Sequence, residues 1–382
     1  MKTTLFAFYA SQYLNERQYE VAPSTLVSEK SKVGNLVKHF GKREMAAITQ
    51  TDIKAWKVKV HKRFANKTIN EHFTVLRALF RGAVCDSLIK INPMDELSNL
   101  AVQIADPEPF NQQELLTLYN TETTCISGKN LFLLGVLTGL RISELIGLTW
   151  ECIDFVNASL LVNKCRVLGD YKVPKTKGSL RHVELNKHAL GLLKKQLSLT
   201  GSRKTTRIKV LQTDNKSRKT MFVQHVFVNT KTNKPFIDSK QFGKTFFTPF
   251  LQTANVKHRG AGQSRHTFAS QSLTAGISKE WLAQQLGHTG TAMIDKHYGR
   301  WLQEDAPDNA GRYADCLNTV FGIAPVEVSL SPMQPKQLPP LDSDSQSPLA
   351  LIGTLLQAIE RDPALLTQLA HVMGNTGGRI YV

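Results

Sequence analysis

Cysteine is scarce: five residues in 382 (Cys85, Cys125, Cys152, Cys165, Cys316), an odd number, widely spaced and with no CxxC pair. That argues against a disulfide scaffold or a zinc ribbon and fits a reducing, cytoplasmic compartment. No run of about 18 apolar residues exists, which excludes a membrane-spanning helix. An apolar signal-peptide stretch is missing as well, because Ser11, Gln12, Asn15 and Glu16 interrupt the segment that begins Leu5-Phe6. Acidic residues are outnumbered, 31 against 48 Lys and Arg, leaving a net charge of +17. With 41% hydrophobic and 21% charged residues, the balance is that of a globular chain, long enough for two or three domains.

The positive charge is unevenly placed. Residues 1–106 carry +6, residues 107–312 carry +14, and residues 313–382 carry −3. A basic body with a slightly acidic tail suits a polyanion-binding protein, though a merely basic enzyme would look similar.

Apolar periodicity predicts helices through Leu5, Phe8, Tyr9 and Tyr13, then through Val33, Leu36, Val37 and Phe40. A third helix starts at Thr51-Asp52 with Ile53, Trp56 and Val60. A fourth starts near Asn66 and runs through Ile69, Phe73, Leu76, Leu79, Phe80 and Val84 until Asn92-Pro93 stops it. Residues 1–104 thus read as a basic helical bundle. Two prolines stiffen residues 105–110 into a linker. Asn111 with Glu114 three residues on is a helix-capping pair opening the next domain, 111–312.

Within 111–312, residues 131–137 read as a buried helix. Residues 159–167 and 180–185 have strand character, with Lys175–Gly178 as the turn between them. Residues 203–219 hold seven basic groups and one acid, an exposed loop or hairpin. Helix resumes from Phe242. Residues 313–347 have linker composition, rich in proline and serine. Ser347-Pro348 and Asp362-Pro363 open two short amphipathic helices, an appended hairpin over 348–382. The expected class is mainly α with a small antiparallel sheet in the second domain, α+β overall.

Four segments carry groups able to do chemistry. In TGLRISEL (138–145), Arg141 follows a buried helix and cannot be neutralised; it either pairs with Glu144 or faces a phosphate with Glu144 orienting it. In PKTKGSLRHVEL (174–185), Lys175 and Lys177 are either solvated turn residues or mobile cations reaching a site. In QSRHTFAS (263–270), Arg265 and His266 open a helical segment whose free amides favour an anion, or they simply cap it. The run 286–301 offers His288 after a glycine and Tyr298 ten residues later. A nucleophilic tyrosine would need a cationic pocket, since its ordinary pKa is about 10.

Taken together and in this order, TGLRISEL, PKTKGSLRHVEL, SRHTFAS, LGH and HYGRW resemble the tyrosine recombinase (phage integrase) family. NKTINEH, LRALFRGAV and INP in residues 66–93 resemble its core-type DNA-binding domain. The likeness spans roughly residues 5–312. It implies a site-specific recombinase of a phage or other mobile element, in which Tyr298 attacks a DNA phosphodiester to give a 3′-phosphotyrosine. Arg141 and Arg265 would hold the nonbridging oxygens with His288 donating beside them. The hairpin lysine, Lys175 with Lys177 as runner-up, would protonate the leaving oxygen. Glu144 and His266 would be supporting residues, and no metal or cofactor is implied.

The implied partners are double-stranded DNA, further copies of the chain in a homotetramer across two sites, and accessory DNA-bending proteins, with no membrane involved. The implied location is the cytoplasm, at the nucleoid. The pattern departs from the family at Gly262, where a histidine usually stands three residues before the second arginine. That leaves the acceptor of the tyrosine proton unassigned, with His258 a substitute. A DNA-binding accessory factor with weakened catalysis is the alternative reading.

Overall fold

The computed structural model describes residues 4–103, 106–174 and 177–298, all within one compact unit, Met1–Gly311. The proline-rich segment and the C-terminal hairpin expected over 313–382 lie outside the described residues, as does Lys175.

Four helices come first: α1 (Phe6–Glu20), α2 (Pro23–Phe40), α3 (Gln50–His61) and α4 (Asn66–Cys85). Their shared core is aromatic, with Phe6, Phe40, Trp56, Phe73 and Phe80 almost wholly buried. Thr49 caps α3 reciprocally with Asp52, satisfying two otherwise orphaned amides. Two details differ from the periodic reading. Leu5 precedes the first helical turn and stays exposed, as does Phe8, so the inward positions of α1 are Phe6, Tyr9 and Ala10. Helix α4 ends at Cys85, ahead of Asn92-Pro93, because Ser87 turns left-handed (φ 57°) and breaks the helical path first.

A second core begins at Phe110. It is built on α5 (Gln112–Asn120), α6 (Ile126–Thr138) and α7 (Ile142–Ile146). Asn111 and Glu114 form the capping pair of α5. Glu114 also pairs with the buried Arg259, whose guanidinium lies 4.6 Å over the Phe110 ring.

Seven short strands follow: β1 (Ile153–Asp154), β2 (Ser159–Val162), β3 (Cys165–Val167), β4 (Asp170–Lys172), β5 (Arg181–Glu184), β6 (Thr206–Leu211) and β7 (Arg218–Val223). The expected pair is present: β2 and β5 run antiparallel with Leu160 opposite Val183, and β1 extends that sheet. The segment 159–167 does not run through as one strand. It breaks after Val162, and β3 turns through Gly169 (φ 84°) into β4, in a second sheet ordered β3-β4-β6-β7. The second sheet includes one parallel pair, β4 with β6, so only the first is wholly antiparallel. The basic run at 203–219 is largely the β6–β7 hairpin, with Arg207, Lys209, Lys216, Arg218 and Lys219 exposed and Ile208 and Val210 buried.

Helix α8 (Lys187–Thr200) links the sheets. Beyond them come α9 (Ser239–Phe242), a π-turn over Gly243–Phe247, and α10 (Thr248–Thr253). The chain then adds α11 (Gln263–Thr274), α12 (Lys279–Leu286) and α13 (Ala292–Tyr298). Phe268, Leu273, Leu282, Leu286, Ile294 and Tyr298 form a third apolar cluster, which holds these last three helices together.

Candidate active site

Arg141 is the N-cap of α7, and Glu144 occupies its third position. The carboxylate accepts from the Arg141 backbone amide (3.0 Å) and from its Nη1 (2.8 Å). The same carboxylate accepts from Nη2 of Arg181 at 3.1 Å. The Arg181 and Glu144 side chains are each 6% exposed, whereas that of Arg141 is 42% exposed. Burial works against the Glu144 charge, but Arg181 and Arg141 together hold its carboxyl below the usual range. One buried carboxylate thus fixes two arginines, and the outer one keeps a face to solvent.

Two glycines let the neighbouring elements pack closely around this network. Gly139 ends α6 in the left-handed region (φ 67°), where a Cβ would lie 2.5 Å from Phe268 and 2.7 Å from Leu286. Gly287 ends α12 the same way (φ 70°), and a Cβ there would meet Arg181 and the Gly178 carbonyl at 3.0 Å.

Arg265, at the third position of α11, uses the freed backbone at both points. Its Nη1 donates to the Gly139 carbonyl (2.8 Å) and its Nη2 to the Leu286 carbonyl (2.7 Å). Nη2 also donates to Nε2 of His288 at 2.9 Å. Burial and the neighbouring Arg141 push the Arg265 guanidinium down to about 9, so it remains a cation at neutral pH. Burial, then Arg265, Arg141 and Arg181, lower His288 to about 4, leaving its imidazole neutral.

Tyr298 ends α13 with its ring in the third apolar cluster, 3% exposed. Its phenol oxygen is hydrogen-bonded to Nδ1 of His266, the residue after Arg265. Burial pushes the phenol up to about 12, against the attraction of Arg265. Arg141, Glu144, Arg265, His266, His288 and Tyr298 are therefore linked through direct contacts or mutual charge effects.

Lysine positions are less complete. Lys175 is outside the described residues, and of Lys177 only the backbone is described, in the turn Lys177–Ser179. That turn abuts the site: the Ser179 carbonyl accepts from Arg181 (3.3 Å), and Gly178 lies against Gly287. Among the described residues, His258 makes no hydrogen bond to the cluster; its Nε2 pairs with Thr248 at 3.2 Å.

Arg181 is the residue that motif reading passed over. Its signal was strand alternation: Arg181 and Val183 point inward while His182 and Glu184 point out. An arginine at an inward strand position requires a buried acid. Among the described residues, no cluster of three or more His, Cys, Asp or Glu side chains could hold a metal ion, and no helix is long and apolar enough to cross a membrane. A separate surface groove of about 1030 Å³, lined by Leu116, Tyr119, Ile126 and Leu133 among others, contains none of the clustered residues.

The chain thus forms a helical bundle followed by an α+β unit, with arginines, two histidines and a tyrosine gathered at one site. Residues 108–304 match the phage integrase family, and the chain belongs to that family, the tyrosine recombinases. It is 28% identical over 242 residues to the prophage integrase IntR of Escherichia coli (strain K12), covering 62% of this chain and 58% of that protein. It is 28% identical over 315 residues to the transposase from transposon Tn916 of Enterococcus faecalis, covering 78% and 74%. Among solved structures, the Tn1549 transposon integrase in complex with a circular intermediate DNA shares the fold (TM-score 0.65, 22% identity, 82% of this chain and 100% of that one). So does a lambda integrase tetramer bound to a Holliday junction (TM-score 0.60, 15% identity, 80% of each chain).

Proposed function

We propose that this recombinase cuts and rejoins double-stranded DNA through a 3′-phosphotyrosine at Tyr298, integrating or excising a phage or other mobile element. The observation that carries the proposal is the hydrogen bond of the Tyr298 phenol to His266, the residue after Arg265, whose guanidinium is itself tied to His288. A phosphodiester seated there would meet two guanidinium groups. In the pentacoordinate transition state its nonbridging oxygens gain charge, and preorganised cations stabilise that state more than the ground state. The tyrosine oxygen–phosphorus bond forms, the phosphorus–O5′ bond breaks, and the departing oxygen takes a proton from a lysine of the 175–178 turn. The phosphotyrosine keeps the bond energy, so rejoining needs no nucleotide cofactor.

Helices α1–α4, as a domain over residues 1–104, and the catalytic domain over 111–312 would close around the duplex. Their positive charge would supply phosphate contacts. By analogy with the lambda integrase assembly, four copies would act on two sites, helped by DNA-bending proteins, on nucleoid DNA in the cytoplasm.

Covalent trapping on nicked suicide DNA drawn from the junctions of the element carrying the gene tests this. Wild type should give a DNA-linked species that maps by peptide mass to Tyr298 and is absent from Tyr298→Phe. Specific binding without any adduct would favour the accessory-factor reading instead.

A further inference from the structure

We infer that His266 is the base that takes the phenolic proton of Tyr298 as the tyrosine attacks DNA. The inference rests on the recombinase reading and gives a chemical role to a residue that the reading otherwise leaves as a support. The geometry is direct: the Tyr298 hydroxyl and His266 Nδ1 share a hydrogen bond, with the two rings 5.7 Å apart, and in the attack the hydroxyl is its donor. An acceptor Nδ1 puts the ring's own proton on Nε2.

The charges that bear on His266 are Arg265 on its own helix and His297 on α13, beside Tyr298. Burial first, then those two groups, lower its pKa, so the ring is neutral and able to accept at pH 7. The phenol, at about 12, holds no useful phenolate fraction and must lose its proton during attack.

The competing histidines are otherwise engaged. His288 Nε2 takes a hydrogen bond from Arg265, and His258 pairs with Thr248. Position 262 is glycine, so the site has no imidazole there. In the step, the Tyr298 O–H bond breaks and its proton passes to Nδ1 as the oxygen–phosphorus bond forms. The phosphorus–O5′ bond breaks, and the leaving oxygen is protonated from the lysine turn. On rejoining, the freed 5′-hydroxyl returns its proton to the lysine turn as its oxygen bonds phosphorus, the tyrosine oxygen–phosphorus bond breaks, and the imidazolium returns its proton to the phenolate oxygen.

The test uses the full chain on suicide substrates carrying either oxygen or sulfur at the 5′-bridging position of the scissile phosphate. His266→Gln keeps a hydrogen-bond acceptor for the phenol but cannot hold its proton. It should bind DNA as wild type does yet form adduct about 100-fold more slowly. The deficit should persist on the sulfur substrate, whose leaving group needs no protonation, and the rise of rate with pH that wild type should show on the acid side should vanish. His266→Ala, which removes a partly buried ring, should recover activity in proportion to added free-base imidazole. Wild-type rates in His266→Gln, rescue by the bridging sulfur, or a folded His266→Ala indifferent to imidazole would each overturn the inference. If wild type itself formed no adduct, the recombinase reading would fail, a separate result from an active enzyme indifferent to residue 266.

Discussion

Arg265 donates to Nε2 of His288 over 2.9 Å, and this contact fixes the histidine's tautomer. A guanidinium has no acceptor, so Nε2 must be unprotonated and the ring proton must sit on Nδ1, a buried atom without a hydrogen-bond partner among the described residues. The resting imidazole is therefore a neutral ring held by a cation, and its donor is uncommitted.

Acid should loosen the fold through this histidine and through His225, which burial also lowers to about 4. Both folded pKa values lie below the ordinary 6.5, so the unfolded chain binds protons first as pH falls. Stability is fully present above about pH 6.5 and is lost as pH drops toward 4. Allowing for solvent screening at the partly exposed His288, the combined loss by pH 5.5 should be on the order of 1–2 kcal/mol. Thermal melts between pH 7.5 and 5 read the slope, and His225→Phe should flatten it in part. A melting temperature independent of pH in this range would contradict both assignments.

Glu144 should be the most costly single polar position of the site. Removing its charge leaves Arg181 buried with no carboxylate, and breaking such a pair costs about 3–5 kcal/mol. Glu144→Gln should therefore lower the denaturant midpoint sharply, while Arg141→Ala, at the exposed side of the same carboxylate, should cost much less stability. Comparable losses in the two variants would show that the burial asymmetry does not govern the network.

Three glycines should behave differently on substitution by alanine. At Gly139 and Gly287 a methyl group would collide with Phe268, Leu286 or Arg181 and occupy a left-handed backbone, so each variant should lose more than about 1 kcal/mol together with strand-transfer activity. Gly262 sits at φ −61° and ψ −17°, and a methyl group there would find nothing within 4 Å, so Gly262→Ala should be neutral or gain up to about 1 kcal/mol. Equilibrium unfolding of the three variants gives the ranking.

The β6–β7 hairpin should contribute to the salt dependence of DNA binding. Arg207, Lys209 and Lys219 are exposed along it, and each phosphate contact adds about 0.9 to the slope of log affinity against log salt. Replacing all three by glutamine should reduce that slope by up to about 3 without unfolding the protein. An unchanged slope would remove this hairpin from the DNA-facing surface.

Sequence reading reached much of this arrangement because local chemistry is written locally. Prolines and helix caps marked Asn111–Glu114, and 3.6-residue periodicity marked the aromatic core of α3 and α4. The break between β2 and β3 escaped it, since a short apolar run cannot reveal that a chain changes sheets after Val162. Helix α4 stopped at a left-handed serine, a choice that carries no sequence signature as strong as the later proline.

By itself, the sequence determined the cationic charge, the order of the motifs and the identities of Arg141, Arg265, His288 and Tyr298. Composition and spacing are properties of the chain before it folds. Only the tertiary structure decided that one carboxylate, Glu144, serves both Arg141 and an arginine 37 residues beyond it. It also brought Tyr298 onto His266, 32 residues away in the chain. Such pairings depend on which helix ends meet, and that is set by the apolar cluster of α11–α13 and by the two glycines whose missing side chains let the backbones touch.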